Sequence, residues 1–142
     1  MRKMTWSCIA LAAFAAGFAV RGVMPGESVA LAQAPTRVFE LRTYTAGEGK
    51  LDLLHARFRD HTVRLFQRHG ITNLFYGKPM DAPLSQDTLV YLLAHDSREA
   101  AKTSWDAFRA DPEWQQAAKE SGVGPVKVES VFLEPADYSP MK

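Results

Sequence analysis

Residues 88–95 read TLVYLLAH, and no other stretch limits the possible folds of this chain as much. Successive side chains of a strand alternate between its two faces. Leu89, Tyr91 and Leu93 then share one face, and Val90 and Leu92 share the other. A sheet wetted on one side alternates apolar with polar residues. Both sides are apolar here, so a sheet built on this strand has to be covered twice.

The flanking segments supply the first cover. Residues 38–45 (VFELRTYT) alternate, with Phe39, Leu41 and Thr43 on one side and Val38, Glu40, Arg42 and Tyr44 on the other, which predicts a strand. Over 50–69, Leu51, Leu54, Phe58, Thr62, Leu65 and Phe66 recur at helical spacing, while Arg57, Asp60, Arg64, Gln67 and Arg68 are assigned to the solvent side. Gly70 is placed to stop that helix. Residues 72–78 and 88–95 follow as strands. Asp96 and Glu99 have the spacing of a capping box, ahead of a helix whose inward stripe is Ala101, Ser104, Trp105 and Phe108. Asp111-Pro112 restarts a short helix carrying Trp114, because proline fits a first helical turn. A last strand covers 127–134 and a tail follows from Pro135.

The order is βαββαβ. Two crossovers of this length predict an α+β, ferredoxin-like fold, with a four-stranded antiparallel sheet and the helices on one face. The second apolar face then needs another cover. A second copy of the chain, packed sheet against sheet, is the simplest one, so a homodimer is expected.

The N-terminal segment has a different character. Positive charge at Met1 to Lys3 precedes an apolar run from Ile9 to Val20, and Ala30-Leu31-Ala32 has the small-x-small form of a cleavage site. Residues 1–32 are therefore expected to be a signal peptide for export to the periplasm or the medium, with 33–36 as linker and 37–142 as the domain. In the alternative, residues 4–20 carry no charge and form an uncleaved anchor, since about 17–25 residues span a bilayer.

Charge and cysteine usage exclude several functions. The chain carries a net +1, and without residues 1–32 its acids outnumber its bases by one. Such a domain has no electrostatic footprint for nucleic acid. The one cysteine, Cys8, lies in the N-terminal segment, which leaves the domain without a disulfide, a thiol nucleophile or a thiolate zinc site. His55 and His69 are nearly four helical turns (~21 Å) apart and cannot share a metal. Phosphate-loop, nucleophile-elbow and HExxH motifs are absent. No metal or cofactor is expected.

The domain resembles the NIPSNAP family. The matching residues are Glu40-Leu41-Arg42-Thr43-Tyr44, Phe58-Arg59-Asp60-His61-Thr62, Tyr91, Ser104-Trp105 through Phe108, and Asp111-Pro112-Glu113-Trp114. Val128-Glu129-Ser130-Val131-Phe132-Leu133 and Asp137-Tyr138-Ser139-Pro140 continue the match, which runs from about 37 to 140. The resemblance implies a dimeric α+β barrel. It implies no settled activity. Relatives of that barrel include cofactor-free monooxygenases and isomerases, a kinship of fold alone.

Candidate site residues follow. Glu40, Arg42 and Tyr44 share a strand face. If a partner closes that face, Arg42 either anchors a bound carboxyl or carbonyl group, or pairs with Glu40 to fix the dimer register. His61, at the edge of the helical stripe, is a candidate base or haem ligand, or a half-buried residue bonded to backbone. His95, just before a helix, is assigned to the surface. Tyr91, Trp105, Phe108 and Trp114 either pack as core or line a pocket. Three functions compete. The first is a module binding a small apolar ligand. The second is a cofactor-independent oxygenase or isomerase in which His61, Tyr91 or Arg42 steers a proton or an enolate. The third is a purely structural dimer.

Overall fold

The computed structural model describes residues 37–142, so the signal or anchor segment and the linker lie outside the described residues. Four strands form one antiparallel sheet in the order β2-β3-β1-β4, from β1 (Val38–Thr45), β2 (Thr72–Gly77), β3 (Thr88–His95) and β4 (Lys127–Leu133). The two central strands are β1 and β3. Their register pairs Glu40 with Leu93, Arg42 with Tyr91 and Tyr44 with Leu89.

The first crossover is one helical rod in three parts. These are α1 (Leu51–Arg57), a π-helical turn at Phe58–Thr62, and α2 (Val63–Arg68). Within the turn, Val63 N–H reaches back five residues to the Phe58 carbonyl, and the Thr62 hydroxyl donates to the Arg57 carbonyl at 3.2 Å. The wide turn keeps Leu54, Phe58, Thr62 and Leu65 on the buried side. Gly70 ends the rod with φ +75°, a conformation that suits a residue without Cβ. The second crossover is α3 (Arg98–Ala110) followed by α4 (Pro112–Glu120), which Asp111 caps by accepting from Glu113 N–H at 2.8 Å.

Two expectations are corrected. Ser97, not Asp96, caps α3: its hydroxyl accepts from Ala100 N–H at 3.0 Å, while Asp96 is exposed. The spacing of Asp96 to Glu99 fits a capping box, but the chain turns into the helix one residue later. Arg57 is buried and not on the solvent side, because α4 closes over that flank and brings the Trp114 ring to 5.2 Å from the guanidinium.

The helix-covered face of the sheet carries Glu40, Arg42 and Tyr44 of β1 with Leu89, Tyr91 and Leu93 of β3. The core lies there, where Leu54, Phe58, Leu65, Phe66, Trp105 and Phe108 pack down on Tyr91 and Leu93. The charged face of β1 is therefore covered by the chain's own helices, not by a partner. The opposite face presents Leu41, Val90 and Leu92, half-buried, with Val131 54% and Phe75 59% exposed.

The cap assignment is open to test. Ser97→Ala is expected to cost about 1 kcal/mol in urea unfolding. Asp96→Ala is expected to change stability by under about 0.5 kcal/mol.

Candidate functional site

Four elements converge on the carboxylate of Glu40, which is 1% exposed. One oxygen, Oε1, accepts from Arg42 Nη1 at 2.7 Å and from the Ser130 hydroxyl at 2.6 Å. The other, Oε2, accepts from the Trp105 indole N–H at 2.7 Å and from His95 Nε2 at 3.0 Å. Each partner arrives by a local rule. Arg42 is two residues along the same strand, and His95 extends the 89–91–93 row of β3. Ser130 is the cross-strand partner of Arg42, and Trp105 lies in the inward stripe of α3.

Burial alone pushes the Glu40 carboxyl upward. The bonds from His95, Ser130 and Trp105, with the Arg42 charge, more than reverse that and lower it from 4.5 to about 2. A carboxylate offers about four acceptor positions, and here all are taken. Glu40 is thus held as an anion and cannot serve as a base at neutral pH. Arg42 stacks over the Trp105 ring at 4.1 Å and reaches the Tyr44 hydroxyl at 3.4 Å, and its buried Nε has no partner. The buried Tyr91 hydroxyl and His95 Nδ1 are also without hydrogen-bond partners. Burial pushes Tyr91 and Tyr76 well above the ordinary phenol range, so neither supplies a phenolate.

Glu40, Arg42, Tyr44, Tyr91 and Trp105 are therefore gathered into one cluster beneath α3. Phe108 and Trp114 continue it as an aromatic stack, their ring centroids 4.5 Å apart, with Phe66 4.8 Å from Phe108. His61 lies elsewhere, half-buried on the outer side of the π turn. It lines a cleft of about 160 Å³ between the first helical rod and the end of α4, together with Arg57 and Ser121. His69 bonds the Asp111 cap at 2.7 Å. Among the described residues, no group of three His, Cys, Asp or Glu gathers at metal-binding distance.

His95 corrects the surface assignment, being 3% exposed and bound to Glu40. Its signal was present in the sequence, because it shares strand parity with Leu89, Tyr91 and Leu93. Ser130 had a weaker signal of the same kind. Arg57 had none, since its burial depends on where α4 packs.

A larger cavity, about 330 Å³, opens on the other face of the sheet. Phe39, Leu92 and Leu133 form its floor, and the tail from Pro135 to Met141 folds over it.

Comparison with known proteins places this geometry in a wider set. The family model described as NIPSNAP matches residues 39–140. No curated protein matches significantly. An uncharacterized NIPSNAP domain protein from Burkholderia xenovorans is similar at 24% identity and TM-score 0.62, over 72% of this chain and 98% of that one. A NIPSNAP family protein of unknown function from Agrobacterium tumefaciens superposes with TM-score 0.67 at 18% identity, covering 78% of this chain and 97% of its own. SnoaB, a cofactor-independent oxygenase from Streptomyces nogalater, gives 0.50 at 12% identity over 74% and 98%, a likeness of fold.

The lowered Glu40 carboxyl has a pH consequence. A depressed acid stabilises the fold fully above its unfolded value and loses that contribution as pH falls toward the folded one. Between about pH 4.5 and 2, the native protein is expected to lose about 2–4 kcal/mol through this group. Glu40→Gln should remove that loss from the acid limb and lower stability at neutral pH. Chemical unfolding of both proteins across this range checks it.

Proposed function

The chain belongs to the NIPSNAP family, and from that premise we propose that it works as a binding module, exported as a dimer, that holds a small apolar molecule. The observation that carries this reading is the uncovered face of the sheet. Leu41, Val90, Leu92, Val131 and Phe75 form an apolar surface there, and the cavity of about 330 Å³ is set into it beside Phe39 and Leu133. A soluble domain keeps such a surface only for a partner or a ligand. A two-fold axis through the sheet would bury it against itself, with each copy closing its neighbour's cavity. A cavity of that volume is in the range that takes small molecules.

The chemistry of the inner cluster favours binding over catalysis. Its acid is saturated by four donors, burial holds the Tyr91 phenol protonated and His61 is outside it. An oxygenase or isomerase needs a group that can take a proton from a bound substrate. Export rests on the charged, apolar and small-residue pattern of residues 1–32.

Light scattering after size exclusion, at micromolar concentration, tests the proposal. The protein without residues 1–32 is expected at twice its chain mass. Val131→Glu, at an exposed position, should yield a folded single copy, because two-fold symmetry brings two buried charges into the seam. A wild-type protein that elutes as a single copy would refute the dimer. Native mass spectrometry of the dimer from its own host should show a retained apolar compound, and loss of that compound in the Val131→Glu variant.

A further inference from the structure

The cleft between the first helical rod and α4 contains an unusual charge. Arg57 is 7% exposed, and no carboxylate among the described residues comes within ion-pair distance of it. Its Nε is buried without a hydrogen-bond partner, and its guanidinium lies 5.2 Å from the Trp114 ring. A buried cation without a counter-charge is costly, and burial lowers the affinity of this guanidinium for its proton. Arginines of the interior are ordinarily paired, as Arg42 is with Glu40.

Arg57 lines the cleft of about 160 Å³, whose apolar wall is Leu53, Ala56 and Ala117. Asp60 and Glu120 line the same cleft and are exposed, so they stand at its mouth. Asp60 has no ion pair among the described residues, and Glu120 accepts only from Gln116 at 3.0 Å. The last turn of α4 ends there, and a helix C-terminus favours a positive charge. His61 also faces the cleft. Its ring is half-buried there.

We propose that this cleft binds a free α-amino acid, with its carboxylate on Arg57, its ammonium toward Asp60 and Glu120, and its side chain along Leu53 and Ala117. The polarity runs the right way for such a zwitterion, positive at depth and negative at the rim. A plain carboxylate would meet the Arg57 charge but face repulsion at the mouth, and a plain amine would meet the buried guanidinium. The volume also fits, since a dry cavity of about 150 Å³ accommodates benzene. A guanidinium and a carboxylate form a two-pronged hydrogen bond, which would give the unpaired Arg57 charge a counter-ion. This site is separate from the apolar cavity on the opposite face of the sheet.

The test follows the Arg57 Nε–H resonance of the full chain by nitrogen-15 NMR, during titration with each of the twenty amino acids, propionate and ethylamine. At least one amino acid is expected to shift that resonance and bind ten-fold or more tightly than either single-charge probe. Arg57→Gln should abolish the binding. Because that variant alters a buried residue, Glu120→Gln gives an independent readout at an exposed position. It should weaken the amino acid several-fold and leave propionate unchanged or slightly tighter. The proposal is overturned if no amino acid moves the resonance, if propionate binds as tightly as the best amino acid, or if Glu120→Gln leaves amino-acid affinity intact.

Discussion

A carboxylate buried under α3 would unfold most small domains, and here it holds the two layers together. Glu40 is tolerated because β1, β3, α3 and β4 each aim a donor at it. Removing one partner from such a set costs about 3–5 kcal/mol, since it leaves a charge uncompensated in a dry place. The bonds are also directional, which apolar packing is not. The Trp105 indole has a single N–H, and its bond to Glu40 fixes the rotation of α3 about its own axis. With α3 so placed, Trp105 meets Phe66 at 5.1 Å and Phe108 meets Phe66 at 4.8 Å, which sets the distance between the two crossovers. The hydrophobic core supplies most of the driving force, and the Glu40 network selects the arrangement it adopts.

The same saturation limits chemistry. A general base needs a free lone pair and an affinity for protons near working pH. Glu40 has neither. The buried groups without partners are Arg42 Nε, Arg57 Nε, the Tyr91 hydroxyl, His55 Nε2 and His95 Nδ1, of which the two arginine nitrogens can only donate. The two arginine nitrogens are open to acceptors such as carboxylate and carbonyl oxygens.

Most of the fold was legible because strand parity is a strong signal. The four strands, both crossovers and the Gly70 stop follow from periods of two and of three to four, and the observed bounds differ by a residue or two. The grouping of Glu40, Arg42 and Tyr44 was legible for the same reason. The cover of that face was not. Alternation tells which residues point together, but nothing in β1 alone tells which side the helices take. The burial of His95 could have been read by extending the β3 row to its end, had its place before a helix not suggested a loop. Arg57 was beyond reach. On a regular helix it flanks the apolar stripe, and only the packing of α4, decided by the Asp111-Pro112 restart, encloses it. The π turn was hidden too, because Phe58, Thr62 and Leu65 keep an ordinary helical spacing.

The choice of inner face has a physical reason. Had Glu40 pointed toward a symmetric partner, two-fold symmetry would have brought a second Glu40 toward the first, and like charges in a dry seam repel. A helix of the same chain can instead present different chemistry, here an indole N–H, opposite the acid. Leu41, Val90, Leu92 and Val131 have no such restriction, since an apolar surface is complementary to its own copy. A sheet with one charged and one apolar face therefore has a preferred way up when it pairs with itself. Asymmetric cover goes to the face that needs specific donors, and symmetric cover suits the face that needs only the exclusion of water. The 330 Å³ cavity sits on the second face, where Phe39 and Leu133 bring hydrocarbon and no donor to its floor. A ligand held there would be selected by shape and apolarity, and one held at Arg57 by charge.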